Sequence, residues 1–254
     1  MANASLGDFT QQAAAYARAR PGYPRELVDR LIGAVGLREG NIVVDIGAGT
    51  GLFTQLLSGR GLNLIAVEPN LAMREQAPTM PDVRWVDGTF ENLGLPDSSA
   101  RWAVAAQAFH WADPPRALPE VRRVLQVGGS FTVLWNDRLM NRTPLLAWTQ
   151  SLLRRRAPDF DEGYRTRDRW ANVLTTTGDF ANVRYDEAEH ITTMTADRFT
   201  DLWRSHNRLC VDAGAAAVET IVAELSGYLR REQIETVDVH YITRAWTATA
   251  VYRN

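Results

Sequence analysis

Three glycines and an aspartate lie close together where an apolar run of the sequence ends. Asp45 is followed by Gly47, Gly49 and Gly51. Glycine permits backbone angles and a close approach of a ligand that a Cβ atom would prevent, so the segment is typical of a nucleotide-binding loop. In the dinucleotide fingerprint the third glycine would come at position 52, which is Leu52. No Gly-Lys-Ser/Thr sequence follows, so the segment is not a phosphate-binding P-loop.

Acidic residues stand at the ends of three successive predicted strands. Asp45, Glu68 and Asp87 each lie at the end of a short apolar segment. The carboxyl ends of parallel strands meet at the edge where open α/β sheets bind ligands, and an acid there can accept hydrogen bonds from a ribose diol or an adenine amino group. A carboxylate attracts a positively charged ligand and repels a pyrophosphate. For each acid alone a helix cap or a solvated turn is an equal alternative, but together they favour a cationic adenosyl ligand.

Short apolar segments alternate with helix-like segments in the first half of the chain. The predicted strands span residues 42–46, 62–67, 83–86, 102–106 and 131–135, and the predicted helices between them include 52–58 and 117–125. A turn at Gly128 and Gly129 is predicted to precede the fifth strand. This alternation with short connections predicts an α/β fold, in which a parallel sheet is covered by helices on both faces.

The second half of the chain is less regular. The predicted helices span residues 144–156, 167–177 and 213–231, and the predicted strands 183–188 and 241–251. The stretches of about 140–170 and 190–235 are too long for plain connections. We therefore predict one domain over residues 1–254, in which these two insertions build a helical lid over the substrate.

The motifs resemble those of a known enzyme family. Residues 43–51 resemble motif I of the class I S-adenosylmethionine-dependent methyltransferases, and residues 107–111 resemble the motif that closes over the methionine end of the cofactor and faces the acceptor. Residues 9–24 and 134–136 resemble the trans-aconitate methyltransferase-like branch. The resemblance implies a Rossmann-like sheet of seven strands, with residues 241–251 as the candidate for an antiparallel last strand.

The resemblance also implies the cofactor and the residues that bind it. The cofactor is S-adenosyl-L-methionine, the product is S-adenosyl-L-homocysteine, residues 1–36 cover the cofactor and residues 37–136 form its binding core. The implied cofactor-binding residues are Tyr16, Arg20, Asp45, Gly47, Ala48, Gly49, Thr50, Gly51, Glu68, Pro69, Asp87, Gly88, Thr89, Gln107, Ala108 and Phe109. The predicted substrate pocket contains Trp111, Trp135 and Asn136.

His110 is the one histidine in the motif that is expected at the acceptor side. Methyl transfer is an in-line displacement, and it needs a general base only if the acceptor arrives protonated. His110 is therefore either that base or a structural histidine that shapes the loop, and its substitution by alanine separates the two. The rings of Phe109, Trp111, Trp135 and Tyr16 are predicted to form dry walls around the reacting atoms.

The composition argues against several other kinds of protein. The formal net charge is −2, so it gives no sign of a nucleic-acid or membrane partner, and the basic run 154–156 is more typical of a solvated helix face. Cys210 is the only cysteine and the four histidines are scattered, so we expect no metal site. No apolar run approaches the roughly 20 residues that cross a bilayer. Residues 1–12 show no targeting pattern, and we expect a cytoplasmic protein that acts on a small molecule.

Several alternatives stay open. A nicotinamide-dependent oxidoreductase is disfavoured by the spacing of the glycines. A nucleic-acid methyltransferase is disfavoured because residues 107–110 do not match the Asn/Asp-Pro-Pro-aromatic motif. A protein of the same fold that binds S-adenosylmethionine and catalyses a cyclisation, or only binds, is not distinguished by these residues. The acceptor atom is an oxygen, nitrogen or carbon, and the resemblance favours a carboxylate oxygen.

Two arginines in the second predicted insertion have two interpretations. Arg204 and Arg208, beside His206 and Asn207, either grip an acidic substrate or form the polar face of an amphipathic helix.

Overall fold

The computed structural model describes residue 10 and residues 13–160 and 167–252. Within these residues the chain forms two compact units. The helical unit takes its residues from Met1–Pro21, Asp137–Glu162 and Glu189–Ile242. The glycine-loop unit takes its residues from Gly22–Asn136, Gly163–Ala188 and Thr243–Asn254. The single domain over residues 1–254 and its lid insertions stay predictions.

The strands of the described residues form one sheet. They are β1 (Ile42–Ile46), β2 (Asn63–Val67), β3 (Val83–Val86), β4 (Ala100–Ala106), β5 (Leu125–Arg138), β6 (Phe180–Thr195) and β7 (Thr236–Ala250). Their order in the sheet is β3-β2-β1-β4-β5-β7-β6, and β1 pairs in parallel with β2 and β4, β2 with β3, and β4 with β5. This confirms the predicted Rossmann-like, seven-stranded, mostly parallel sheet.

Two helices precede β1, and helices form most of the connections between successive strands. Among the described residues the α-helices are α1 (Ala13–Ala19), α2 (Arg25–Val35), α3 (Thr54–Leu57), α4 (Leu71–Arg74), α5 (Pro114–Val124), α6 (Pro144–Arg156), α7 (Arg167–Thr175), α8 (Ala196–Arg204), α9 (Asn207–Ala213) and α10 (Ala215–Arg231). A short 3₁₀ helix spans Phe109–Trp111.

Alternate residues of the central strands pack on opposite faces of the sheet. Val44 of β1 lies in a buried cluster with Leu118 of α5, whereas its neighbour Val43 lies in a second buried cluster with Leu27 of α2. Side chains of a strand point alternately to the two faces, so both faces of β1 are covered by helices. Because both faces are buried, successive residues of β1 such as Val43 and Val44 are apolar. This is the apolar run from which the strand was predicted.

The start of β5 differs from the prediction. The sequence predicted a helix over 117–125, a turn at Gly128 and Gly129, and a strand over 131–135, but α5 spans Pro114–Val124 and β5 begins at Leu125. Proline at the first turn suits a helix because its φ angle is already fixed there. The two glycines lie inside β5, where the register against β4 shifts, so they form an irregularity of the strand and not a turn.

β6 and β7 are also longer than predicted. The sequence predicted strands over 183–188 and 241–251, whereas β6 has 16 residues and β7 has 15. Many residues of β6 are exposed or half-buried, so polar residues interrupt its apolar pattern. The ends of the strand therefore could not be predicted from that pattern. Residues 190–195, which the prediction placed in the lid, belong to this strand.

Candidate active site

The three glycines of the loop after β1 all have left-handed backbone conformations. Their φ angles are 69° at Gly47, 59° at Gly49 and 78° at Gly51. At Gly47 space is limiting as well, because an added Cβ would lie 2.6 Å from the Cβ of Ala108. The loop therefore packs directly against the segment that follows β4, and only glycine fits at position 47 without a shift.

Asp45 is a buried carboxyl group at the end of β1. The residue is 2% exposed, and its Oδ2 accepts a hydrogen bond of 2.6 Å from the hydroxyl of Thr54. Burial raises the pKa of Asp45 to about 7; the Thr54 hydrogen bond opposes this shift, and the negative charge of Glu68 adds to it. Its Oδ1 has no hydrogen-bond partner among the described residues.

Glu68, at the end of β2, links two loops through backbone hydrogen bonds. Its Oε2 accepts from the amide of Gly49 and its Oε1 from the amide of Asn70, each at 2.9 Å. Burial raises the pKa of Glu68, while the hydrogen bonds from Asn70 and Gly49 and the charge of Arg74 oppose the shift. A carboxylate has about four lone-pair sites, so its two oxygens retain capacity to accept from a ribose diol.

The third of the predicted strand-end acids, Asp87, follows β3. The Asp87 side chain is 72% exposed and lies 3.7 Å from the guanidinium of Arg74. Thr89 and Asn92 exchange two backbone hydrogen bonds in a tight turn, and an added Cβ at Gly88 would lie 3.0 Å from the Asn92 carbonyl oxygen. The turn therefore requires a small residue at position 88 and leaves the Asp87 carboxylate accessible.

The segment after β4 is held in a conformation that is uncommon for its sequence. Gln107 has a φ angle of 59°, although it is not glycine. Its backbone amide donates to the Leu134 carbonyl at 2.8 Å, and its side-chain amide donates to the Asn136 carbonyl at 3.1 Å. Left-handed conformations of ordinary residues cost of order 1–2 kcal/mol and are concentrated at functional sites. These contacts hold the 107–111 segment beside β5.

Two rings of the predicted aromatic wall, Phe109 and Trp135, are buried. The Phe109 ring is 1% exposed and packs against the rings of Phe90, Phe131 and Trp170. Trp135 is fully buried and stacks on Trp170 with ring centroids 4.1 Å apart. Both side chains therefore belong to the core of the glycine-loop unit, and their roles at the cofactor and in the substrate pocket stay predictions.

His110 and Trp111 are less buried than these core rings, whereas Asn136 is a buried polar residue. The rings of His110 and Trp111 are both half-buried, with centroids 4.4 Å apart. Asn136 is buried, donates to the Gly22 carbonyl at 2.9 Å and accepts from the hydroxyl of Thr243 at 2.5 Å. These bonds fix the end of β5 within the glycine-loop unit, and the role of Asn136 in a substrate pocket stays a prediction.

Tyr16 and Arg20 belong to the helical unit. The Arg20 guanidinium lies over the Tyr16 ring, 4.9 Å from its centroid, and donates to the Ser205 carbonyl at 3.2 Å. The Arg198 guanidinium donates to the Arg20 carbonyl at 3.1 Å. The remaining part of the N-terminal motif, around Phe9, falls outside the described residues. The cofactor contacts of Tyr16 and Arg20 stay predictions.

The contacts of the two arginines near His206 favour the helix-face interpretation over substrate binding. Arg204 pairs with Asp201 and Glu219, and Arg208 pairs with Asp212 one helical turn later. His206 is buried and caps α9, because its Nδ1 accepts from the Leu209 amide at 3.4 Å. The described contacts of this segment therefore stabilise helices α8, α9 and α10.

The sequence and fold are shared with known methyltransferases. A family model described as a methyltransferase domain matches residues 44–133. An uncharacterized methyltransferase of Mycobacterium tuberculosis is 36% identical over 208 residues, which cover 82% of this chain and 79% of that protein. The chain therefore belongs to the methyltransferases, and the cofactor that its glycine-loop motifs imply is S-adenosyl-L-methionine.

Solved structures show the same fold. A candidate type II methyltransferase from Anaeromyxobacter dehalogenans aligns over 92% of this chain and 99% of its own, with a TM-score of 0.67 and 24% identity. Phosphoethanolamine N-methyltransferase 2 of Haemonchus contortus, solved in complex with S-adenosyl-L-methionine, aligns over 99% of this chain and 60% of its own, with a TM-score of 0.56 and 15% identity. At these identities the similarity concerns the fold alone.

Two buried polar atoms beside the glycine loop fit this cofactor. Within the described part of the chain, Oδ1 of Asp45 and the hydroxyl of Thr50 are buried and have no hydrogen-bond partner. Buried polar atoms are normally satisfied, so unsatisfied ones at a loop indicate a missing ligand or water. A ligand with hydrogen-bond donors could bind the unpaired Oδ1 of Asp45. A positive charge on the same ligand suits the negative potential of Asp45 and Glu68.

The described residues contain neither a candidate membrane span nor a candidate metal cluster. No helix there combines the length and the apolar character that crossing a bilayer requires. No group of three or more histidine, cysteine, aspartate or glutamate side chains is arranged to hold a metal ion in that part of the chain.

Proposed function

We propose that this protein transfers the methyl group of S-adenosyl-L-methionine to a small-molecule acceptor, with a carboxylate oxygen as the favoured acceptor atom. The observation that carries the proposal is the pair of buried carboxyl groups, Asp45 and Glu68, beside a loop of left-handed glycines. An uncompensated pair of buried acids is unfavourable, whereas a cationic ligand next to them compensates both.

Asp45, Glu68 and the 107–111 segment each have a definite task in this proposal. The bound cofactor supplies a methyl group that is already activated by a sulfonium. Asp45 provides negative potential for the positive end of the cofactor, and Glu68 accepts from its ribose. The 107–111 segment, held by the contacts of Gln107, closes the acceptor side and excludes water. Holding the reacting atoms about 3–3.5 Å apart and in line can supply roughly 7–11 kcal/mol of the rate enhancement.

Three observations support a small acceptor. The net charge of −2 gives no field that would attract a nucleic acid. Residues 107–110 do not match the motif of nucleic-acid amino-methyltransferases. The Haemonchus contortus enzyme of the same fold is a phosphoethanolamine N-methyltransferase, which acts on a small molecule. The resemblance of residues 9–24 and 134–136 to the trans-aconitate methyltransferase-like branch supports a carboxylate oxygen.

The test has two stages, because cofactor binding and methyl transfer can fail separately. Calorimetry with S-adenosylhomocysteine should show saturable binding, and NADH under the same conditions should show none. Incubation of the full chain with S-adenosylmethionine and a panel of small acids, alcohols and amines should then give a product heavier by one methylene group in mass spectra. Binding without any methylated product across the panel would favour the alternative of a cyclase or a binding protein.

Glu68→Gln is expected to weaken S-adenosylhomocysteine binding by about tenfold and to lower stability by roughly 1–3 kcal/mol. Glutamine replaces one of the two carboxylate oxygens with an NH2 group, which only donates, so either the Gly49 or the Asn70 amide would face a donor and lose its partner. Calorimetry and urea unfolding measure the two effects.

Glu189→Gln is the matched control for this substitution. Glu189 pairs with Arg142 on the exposed surface of the helical unit. Exposed ion pairs contribute little, so neither affinity nor stability should change appreciably. Unchanged binding in the Glu68 variant would remove Glu68 from the cofactor site.

A further inference from the structure

The buried indole of Trp135 needs one particular kind of partner. Trp135 has no exposed surface and is fixed between the stacked ring of Trp170 and the ring of Trp246, whose centroid lies 5.6 Å away. An indole nitrogen can only donate a hydrogen bond, and a buried donor without an acceptor is destabilising. The acceptor in this structure is Nδ1 of His110, 3.4 Å from the indole nitrogen.

This contact bears on which ring nitrogen of His110 carries the hydrogen. A neutral imidazole has one nitrogen that carries hydrogen and one that accepts, and the hydrogen bond of one nitrogen decides the role of the other. If Nδ1 accepts from Trp135, the hydrogen must reside on Nε2. A proton on Nδ1 would set two N–H groups against each other, so the same contact disfavours both the other tautomer and the imidazolium ion.

We infer that Trp135 is a positioning residue that holds His110 as the tautomer with hydrogen on Nε2, so that His110 donates a hydrogen bond to the acceptor and does not take a proton from it. The inference rests on the proposed function, which places the 107–111 segment at the acceptor side. It argues against the general-base role of His110 that the sequence leaves open, because the lone pair that a general base requires is already used by Trp135.

The chemistry of the acceptor follows from this assignment. An acceptor that meets no base must arrive with a lone pair ready to react, and carboxylates are ionised near pH 7 because their pKa is close to 4. One carboxylate oxygen can accept from Nε2 of His110 while the other reacts. The reacting oxygen forms a bond to the methyl carbon as the carbon–sulfur bond breaks, and that electron pair stays on sulfur. The anion and the sulfonium become a neutral ester and a neutral thioether, and no proton moves.

The tautomer can be measured directly by nitrogen NMR. Protein labelled with ¹⁵N in its four histidines is recorded in long-range ¹H–¹⁵N spectra near pH 7.5, and His110→Gln assigns the signals of His110. The expected result is a neutral ring with hydrogen on Nε2 and an accepting Nδ1. A ring with hydrogen on Nδ1, or a fully protonated ring, would overturn the inference whatever the activity.

Two tryptophan variants separate the hydrogen bond from the packing. Trp135→Phe and Trp170→Phe each replace one indole of the same stacked pair by a smaller phenyl ring. Only Trp135→Phe removes the donor to His110. We expect a mixture of tautomers in Trp135→Phe and the Nε2 tautomer alone in Trp170→Phe. Equal spectra in the two variants would show that Trp135 does not set the tautomer.

The acceptor panel tests the consequence for substrate class. Carboxylic acids should be methylated, whereas alcohols of similar shape, which need a base, should not. Methylation of alcohols but not of acids would contradict the inference while leaving the proposed methyl transfer intact. Absence of cofactor binding would instead contradict the proposed function, and the NMR result would still decide the tautomer.

Discussion

Asp45→Asn is expected to weaken cofactor binding by about 10–100-fold while making the ligand-free protein more stable above pH 7. The affinity falls because the amide carries no charge to attract the sulfonium or the amino group of the cofactor. The stability rises because the substitution removes a buried carboxyl group whose pKa is raised to about 7, mainly by burial. Asparagine keeps an oxygen for the Thr54 hydroxyl, so that hydrogen bond of 2.6 Å is retained.

The pH dependence of this gain has a definite sign. The folded protein holds the Asp45 proton up to about pH 7, whereas the unfolded chain releases it near pH 4. Between these values the folded state binds more protons, so the stability of the wild-type protein falls as the pH rises. The asparagine variant lacks this contribution. It should match the wild type near pH 4 and exceed it by roughly 2–4 kcal/mol at pH 8 in urea unfolding.

Asp82→Asn is a control with the opposite sign. The Asp82 carboxylate accepts from the hydroxyl of Ser58 and the amide of Gly59, and the Ser58 hydrogen bond is the main reason why the pKa of Asp82 is lowered. Its stabilising contribution is present above about pH 4 and is lost as the pH falls through the pKa of the folded state. The substitution should therefore lower stability at pH 8 and leave S-adenosylhomocysteine affinity unchanged.

Proton release on cofactor binding provides an independent check on Asp45. A cationic ligand favours the ionised carboxylate, so binding near pH 6 should release a proton from the wild-type protein and none from Asp45→Asn. Calorimetry in buffers of different ionisation enthalpy measures this number. A binding enthalpy that is independent of the buffer would contradict the raised pKa of Asp45.

Gly47→Ala is expected to cost about 2–4 kcal/mol of stability and to abolish cofactor binding at ordinary concentrations. One part of the cost is the left-handed backbone, with a φ angle of 69°. The other part is steric, because the new Cβ would lie 2.6 Å from the Cβ of Ala108, and the loop or the 107–111 segment must then move. Urea unfolding and calorimetry with S-adenosylhomocysteine measure the two losses.

Two further variants separate the backbone and steric parts. Gly59 has a similar φ angle of 76°, but an added Cβ there meets nothing within 4 Å, so Gly59→Ala should show the backbone cost alone. Ala108→Gly in the Gly47→Ala background removes the opposing methyl group and should recover most of the steric part. If the two glycine variants lose equal stability, the loop does not pack against the 107–111 segment as closely as described.

The central strands were predictable because they are buried on both faces. Strands such as β1 appear as short apolar runs that end in acids, and the acids of a parallel sheet must share an edge. β6 was less predictable because many of its residues are half-buried or exposed. The prediction of a turn at Gly128 and Gly129 was wrong, because glycine is common both in turns and at irregularities inside strands. No periodicity in the sequence indicated the two compact units.

The site was predictable in its residue types and less so in its contacts. The glycine spacing predicted the loop, but the partner of Asp45 is Thr54, which the motif analysis missed. The signal was the position of Thr54 at the first residue of α3, directly after the loop. Phe109 and Trp135 fill the core because aromatic residues beside a motif can point to either side of the backbone. Their burial depends on Trp170, which is distant in the sequence.

The two amides that already bind Glu68 have a consequence for the free energy of ligand binding. A long acidic side chain normally loses rotamer freedom when it first meets a ligand, which takes about 0.5–1.5 kcal/mol from the affinity. At Glu68 this loss occurs when the chain folds, because the Gly49 and Asn70 amides hold both oxygens in place. The ribose would then meet a rigid acceptor whose orientation requires no induced fit.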